Sequence, residues 1–150
     1  MTSYPDIVSL IPHDGSMSLL DRVVDSNDNT LVAQVIIRPD SLFCDDDGVP
    51  SWVGLEYMGQ AIAAYAGLYA RASGEPVKIG FLVSCRRYEP GISHFPVGAE
   101  LQVSVTTITD GNSGLQVFEC RISGAGVDFS ANLNVFMPND VEQFLQESAQ

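Results

Sequence analysis

Cations are scarce in this chain: seven Lys and Arg stand against nineteen Asp and Glu, a net charge of −12. A surface of that sign excludes broad binding to nucleic acid or to an anionic membrane, because phosphate binding depends on neutralising side chains. Cysteine is also sparse, and Cys44, Cys85 and Cys120 are odd in number, far apart and without a CxxC pair. They read as reduced, buried thiols rather than a disulfide framework or a metal site. Only two histidines, His13 and His94, can supply imidazole. No basic leader with an apolar run opens the sequence, so no signal peptide is expected. The longest apolar stretch is interrupted by Glu56 and Gln60, which argues against a membrane span. A cytoplasmic protein is the expectation.

The 150 residues are 45% hydrophobic and 17% charged, which suits one folded domain over 1–150 and argues against disorder. A short helix is expected at Tyr4–Leu10, stopped by Pro12. Strands are predicted at Ser18–Asp25 and Thr30–Arg38 around the turn Ser26-Asn-Asp-Asn29. An irregular loop, Pro39 to Ser51, leads into a long helix from about Trp52 to Ala72, which Ser73-Gly74-Glu75-Pro76 ends. Strands follow at Val77–Tyr88, Glu100–Thr109, Gly114–Ser123 and Val127–Met137, separated by Gly- and Asn-containing turns. A short amphipathic helix, Val141–Glu147, closes the chain.

The long helix is apolar on nearly every face and rich in Gly and Ala, so it belongs inside the protein. No second helix is long enough to pair with it, so one antiparallel sheet must wrap around it. That arrangement is the hotdog fold, of the α+β class. Glu56 is the one carboxylate in this helix. Burying it costs free energy unless it is paired or neutral, which makes it the leading functional residue. The alternative is a carboxylate that only favours the helix N-terminus. Gln60, one turn later on the same face, is placed to hold a water or to fix the carboxylate. Backbone N–H groups near Gly54 could polarise a carbonyl.

Two motifs occur in order. Ile11-Pro-His-Asp-Gly-Ser-Met-Ser-Leu-Leu-Asp-Arg-Val23 resembles the opening of hotdog 3-hydroxyacyl-(acyl carrier protein) dehydratases, and Gly54-Leu-Glu-Tyr-Met-Gly-Gln60 resembles their helix motif. With Trp52 and Gly80-Phe-Leu-Val83, the chain is most similar to the dehydratase-like subunits of aryl-polyene biosynthesis. The resemblance implies elimination of water from a 3-hydroxyacyl thioester carried on acyl carrier protein or CoA. It also implies a homodimer or a heterodimer with another hotdog subunit, and no cofactor or metal.

One departure matters. The family's catalytic His precedes the helix in a Gly-His-Phe-Pro loop, whereas here that loop is Phe43-Cys-Asp-Asp-Asp-Gly-Val-Pro50. Ser93-His-Phe-Pro96 lies after the helix, and His94 reads as a surface-loop residue. His13 is then the imidazole left to share proton transfer with Glu56, with Gly54 and Gln60 as substrate-binding residues. A structural His13 bonded to backbone stays open, as do a non-catalytic hotdog subunit and an acyl thioesterase. Asp45–Asp47 read as a solvated loop rather than a metal site. Lys78, Arg86 and Arg87 form a candidate docking patch for phosphopantetheine or carrier protein. Phe43, Phe81, Leu82 and Tyr88 read as core or tunnel wall.

Overall fold

The computed structural model describes residues 4–5, 18–74, 81–110 and 115–136. His13, Lys78, most of the Tyr4–Leu10 segment and the Val141–Glu147 segment lie outside them. Strands β1 (Arg22–Ser26) and β2 (Thr30–Ile36) precede β3 (Val49–Pro50), a 3-10 turn at Ser51–Val53 and the helix α1 (Gly54–Ser73). Then follow β4 (Phe81–Arg86), β5 (His94–Phe95), β6 (Glu100–Asp110), β7 (Leu115–Gly124) and β8 (Val127–Phe136). Six strands form one antiparallel sheet in the order β1-β2-β6-β7-β8-β4, and β3 pairs with β5 in a separate ribbon. This is the hotdog fold.

Period-two patterning builds the sheet's inner face. Leu31, Ala33 and Val35 of β2, Leu101, Val103 and Val105 of β6, Phe118, Cys120 and Ile122 of β7, and Phe129, Ala131 and Leu133 of β8 are all buried. Alternate residues of β2 and β8 are more exposed. The helix lies against this face through β2, β6 and β7. Its first turn needs Gly54. A methyl group there would collide with the Tyr88 hydroxyl and press on Ile122 and Phe95. At the far end, the Gly74 amide bonds back to the carbonyls of Ala70 and Arg71 and stops the helix.

The helix is not covered all round. Met58, Ala61 and Ile62 are almost wholly buried against the sheet, whereas Trp52 is 60% and Tyr69 63% exposed. Between those two aromatics, Leu55, Gly59, Ala63 and Ala66 are only partly covered, and a Cβ at Gly59 would meet nothing within 4 Å. These residues recur at three- and four-residue spacing and make one open, apolar flank. The sheet swaddles half of a helix whose composition asks for cover on both sides.

The predicted strands and helix match the described elements to within a few residues, with one omission. Neither strand of the β3–β5 ribbon was expected: β3 lies inside the expected Pro39–Ser51 loop, and two residues among Pro, Gly and Ser carry no alternation. Phe43, expected as core or tunnel wall, is not core. It is 46% exposed, has a φ of 69°, and packs its ring against Trp52 at a centroid distance of 5.3 Å. Among the described residues, no helix is long and apolar enough to cross a membrane.

Candidate active site

Glu56 sits in the first turn of α1 and is half-buried. Helical geometry places Gln60 one turn on, and its Nε2 donates to Glu56 Oε1 at 3.2 Å. The other end of the same amide accepts the Leu19 backbone N–H at 2.8 Å. Gln60 is fully buried, so both ends of its amide need such partners. It therefore joins the Glu56 carboxylate to the end of the segment that carries His13. Five residues lie between His13 and Leu19, and an extended chain over those six steps reaches at most ~22 Å.

The Gly54 N–H at the helix start is taken by the protein itself, bonding to the carbonyls of Ser51 and Trp52, and the Leu55 amide lies near the Tyr88 hydroxyl. That hydroxyl donates to the Ser51 carbonyl. Tyr88, expected only as core or tunnel wall, thus braces the helix start from the loop after β4. Burial is the main cause that raises its phenol above the ordinary range, so it stays a donor at any physiological pH. Gly54 makes the room that lets Tyr88 in.

A cavity of about 340 Å³ opens beside the Leu19 tie, lined by Ser18, Leu20, Asp21, Arg38 and Tyr57 among others. Arg38 pairs with Asp21 at 2.7 Å in its wall. Burial, then the nearby Asp21 and Cys44, push the Tyr57 phenol up as well. Ser18 Oγ is buried without a hydrogen-bond partner. Ser18 and Tyr57 were not singled out from the sequence. A serine and a tyrosine inside apolar runs give no signal of their own.

The remaining predicted residues lie elsewhere. His94 is on β5 rather than in a loop, opposite Pro50 of β3, with its Nε2 3.0 Å from Asp45 Oδ2. Arg86 ends β4, and Arg87 takes a left-handed φ of 63°, which ends the strand's alternation. Arg87 lines a shallow hollow of about 230 Å³ with Glu119, Ser130 and Asn132.

Comparison with known proteins fixes the family. Residues 5–146 match the family described as ApeP-like, ApeP dehydratase. The chain belongs to the ApeP dehydratase family. Among solved structures, the dehydratase heterocomplex ApeI:P from Xenorhabdus doucetiae contains a chain 28% identical to it, with a TM-score of 0.86 over 96% of this chain and 98% of that one. A hypothetical thioesterase from Streptococcus pneumoniae TIGR4, solved with coenzyme A, is 10% identical with a TM-score of 0.60 over 77% of this chain and 84% of its own. The PaaI protein of the E. coli phenylacetic acid degradation operon is 9% identical, at a TM-score of 0.59 over 76% and 80%. Those two share the fold with this ApeP-family chain and nothing finer. No curated protein matches it significantly.

Proposed function

We propose that this chain is a subunit of a 3-hydroxyacyl thioester dehydratase in which Glu56 and His13 share the proton transfers. The elimination removes a proton from C2, whose electron pair becomes the C2=C3 double bond. The C3 hydroxyl takes a proton as it leaves as water. One general base and one general acid are needed, and a carboxylate with an imidazole can supply both. The observation that carries this reading is the Gln60 bridge, whose two ends hold the Glu56 carboxylate and the Leu19 amide. It fixes the one acid of the helix beside the Leu19 amide, six positions after His13 in the sequence.

The thioester, on acyl carrier protein or CoA, enters by the cavity beside Leu19. There the unpartnered Ser18 hydroxyl and the Tyr57 phenol face it as polar contacts. The Gly54 amide is engaged by Ser51 and Trp52, so a role for Gly54 in binding substrate is one of shape: it sets the helix start. The open flank of α1 receives a second hotdog subunit, in line with the heterocomplex that the ApeI:P structure describes. The protein works in the cytoplasm as a single domain.

The test is turnover of a 3-hydroxyacyl thioester to the 2-enoyl product, by the purified chain alone and with a co-expressed hotdog partner. Loss of turnover in both Glu56→Ala and His13→Ala supports the pair. Unchanged rates in both overturn it. A second reading, an accessory subunit that completes a partner's site, is favoured by residues 43–50, which hold no His. It predicts a mixed dimer by native mass spectrometry, with turnover that survives Glu56→Ala in this chain.

A further inference from the structure

Away from the Glu56 site, His94, Asp45 and Asp47 bring one ligand atom each to within 4.8 Å of one another. They come from two segments that the fold clamps together. Asp45 and Gly48 close a turn by reciprocal backbone bonds of 2.8 and 3.2 Å. Gly48 takes a φ of 115°, and a side chain there would run into the Phe95 carbonyl, so the turn lies directly on β5. The Asp47 amide donates to Asp45 Oδ1 at 2.8 Å and folds the turn back on itself, beside the neighbouring carboxylate.

The imidazole is the better-defined half. Its side chain is only 22% exposed, its Nε2 faces Asp45 Oδ2 at 3.0 Å, and its Nδ1 meets Ser93 Oγ at 3.0 Å. One ring nitrogen thus meets a hydroxyl while the other meets the Asp45 carboxylate, with an Asp47 oxygen within 4.8 Å. Metal-binding histidines are oriented in this way. Without a metal, that geometry gains one His–Asp contact. Asp47 is then left beside Asp45 with no Lys or Arg paired to it among the described residues. A divalent ion would neutralise both acids at once.

We propose that His94, Asp45 and Asp47 form a site for a divalent transition metal of the Zn²⁺ or Mn²⁺ class, with water completing its coordination. One imidazole and two carboxylates suit that class, whereas Mg²⁺ and Ca²⁺ prefer all-oxygen sets. The ion would pin the residue 45–48 turn to β5, beside the β3 ribbon that leads into α1. The site is independent of the proposed dehydration and takes no part in it.

The test uses the untagged full chain, stripped of metal and titrated with Zn²⁺ by calorimetry and with Co²⁺ by visible absorption. One equivalent should bind, with Co²⁺ giving a ligand-field spectrum that His94→Gln abolishes and Asp47→Asn weakens at least ten-fold. Mg²⁺ should not compete. Because His94→Gln retains a polar side chain, matching circular dichroism and melting temperature of the metal-free proteins exclude unfolding as the cause. Absence of stoichiometric binding overturns the site, and so does binding that survives both substitutions.

Discussion

The two flanks of α1 have nearly the same composition and opposite fates. On the sheet side, Met58, Ala61 and Ile62 are sealed, and at Gly54 there is no room for even a methyl group. On the open side, Trp52, Gly59 and Tyr69 face outward, and Gly59 has free space where a Cβ would stand. Hydrophobicity demands cover but does not say whose. One flank is covered by the chain's own strands, and the other is left open to solvent. Glu56 lies in the same turns, between a sealed interior and an apolar surface.

Breaking that comparison starts at the carboxylate. Glu56→Ala should lower dehydratase turnover of the co-expressed assembly by about 10²–10⁴-fold, the usual worth of a general acid or base, read from steady-state enoyl formation. Next comes a truncation on each flank. Met58→Ala should cost about 2–5 kcal/mol in urea unfolding, whereas Tyr69→Ala should stay within about 0.5 kcal/mol in the isolated chain. Tyr69→Ala should instead weaken binding to a hotdog partner. Equal costs in the isolated chain would erase the distinction.

The two glycines sharpen it further. Gly54→Ala should destabilise by about 1–3 kcal/mol through overpacking. Gly59→Ala should stabilise the isolated chain by about 0.4–1 kcal/mol, since its φ suits a helix and nothing is in the way. Both are measured as shifts in the denaturation midpoint. The smallest effect concerns the thiols. Burial pushes Cys120 from 9.0 up to about 12, because the sheet interior disfavours a thiolate. The folded chain keeps this proton where the unfolded chain loses it. The contribution is therefore complete below pH 9 and declines as pH rises toward 12. With a thiol reagent at pH 8, Cys44 should react in the native protein and Cys120 only after unfolding.

Much of the fold could be read beforehand. Alternating apolar residues mark the four long strands, Asn, Asp and Gly mark their turns, and Gly74 marks the helix stop. The Glu56–Gln60 contact follows from helical spacing alone. What stayed hidden depends on residues far apart in the chain. Leu19 offers only a backbone amide to Gln60, which no side-chain pattern reveals. Tyr88 looks like any buried aromatic until Gly54 admits it to the helix start. Phe43 reads equally as core or tunnel wall because a positive φ leaves no trace in composition. His94 resembled a misplaced motif because its partners stand on the other side of α1 in the sequence.

The Tyr88 hydroxyl does two jobs in one place: it fills the space left by Gly54 and it donates to the Ser51 carbonyl at the helix start. The two positions are therefore not free to drift separately. Shortening Tyr88 to Phe clears the atom that a methyl at residue 54 would strike, so the Gly54→Ala penalty should shrink in the double substitution although each single change is harmful. Any lineage that loses this glycine must first, or at once, give up the tyrosine's oxygen and find another partner for the Ser51 carbonyl.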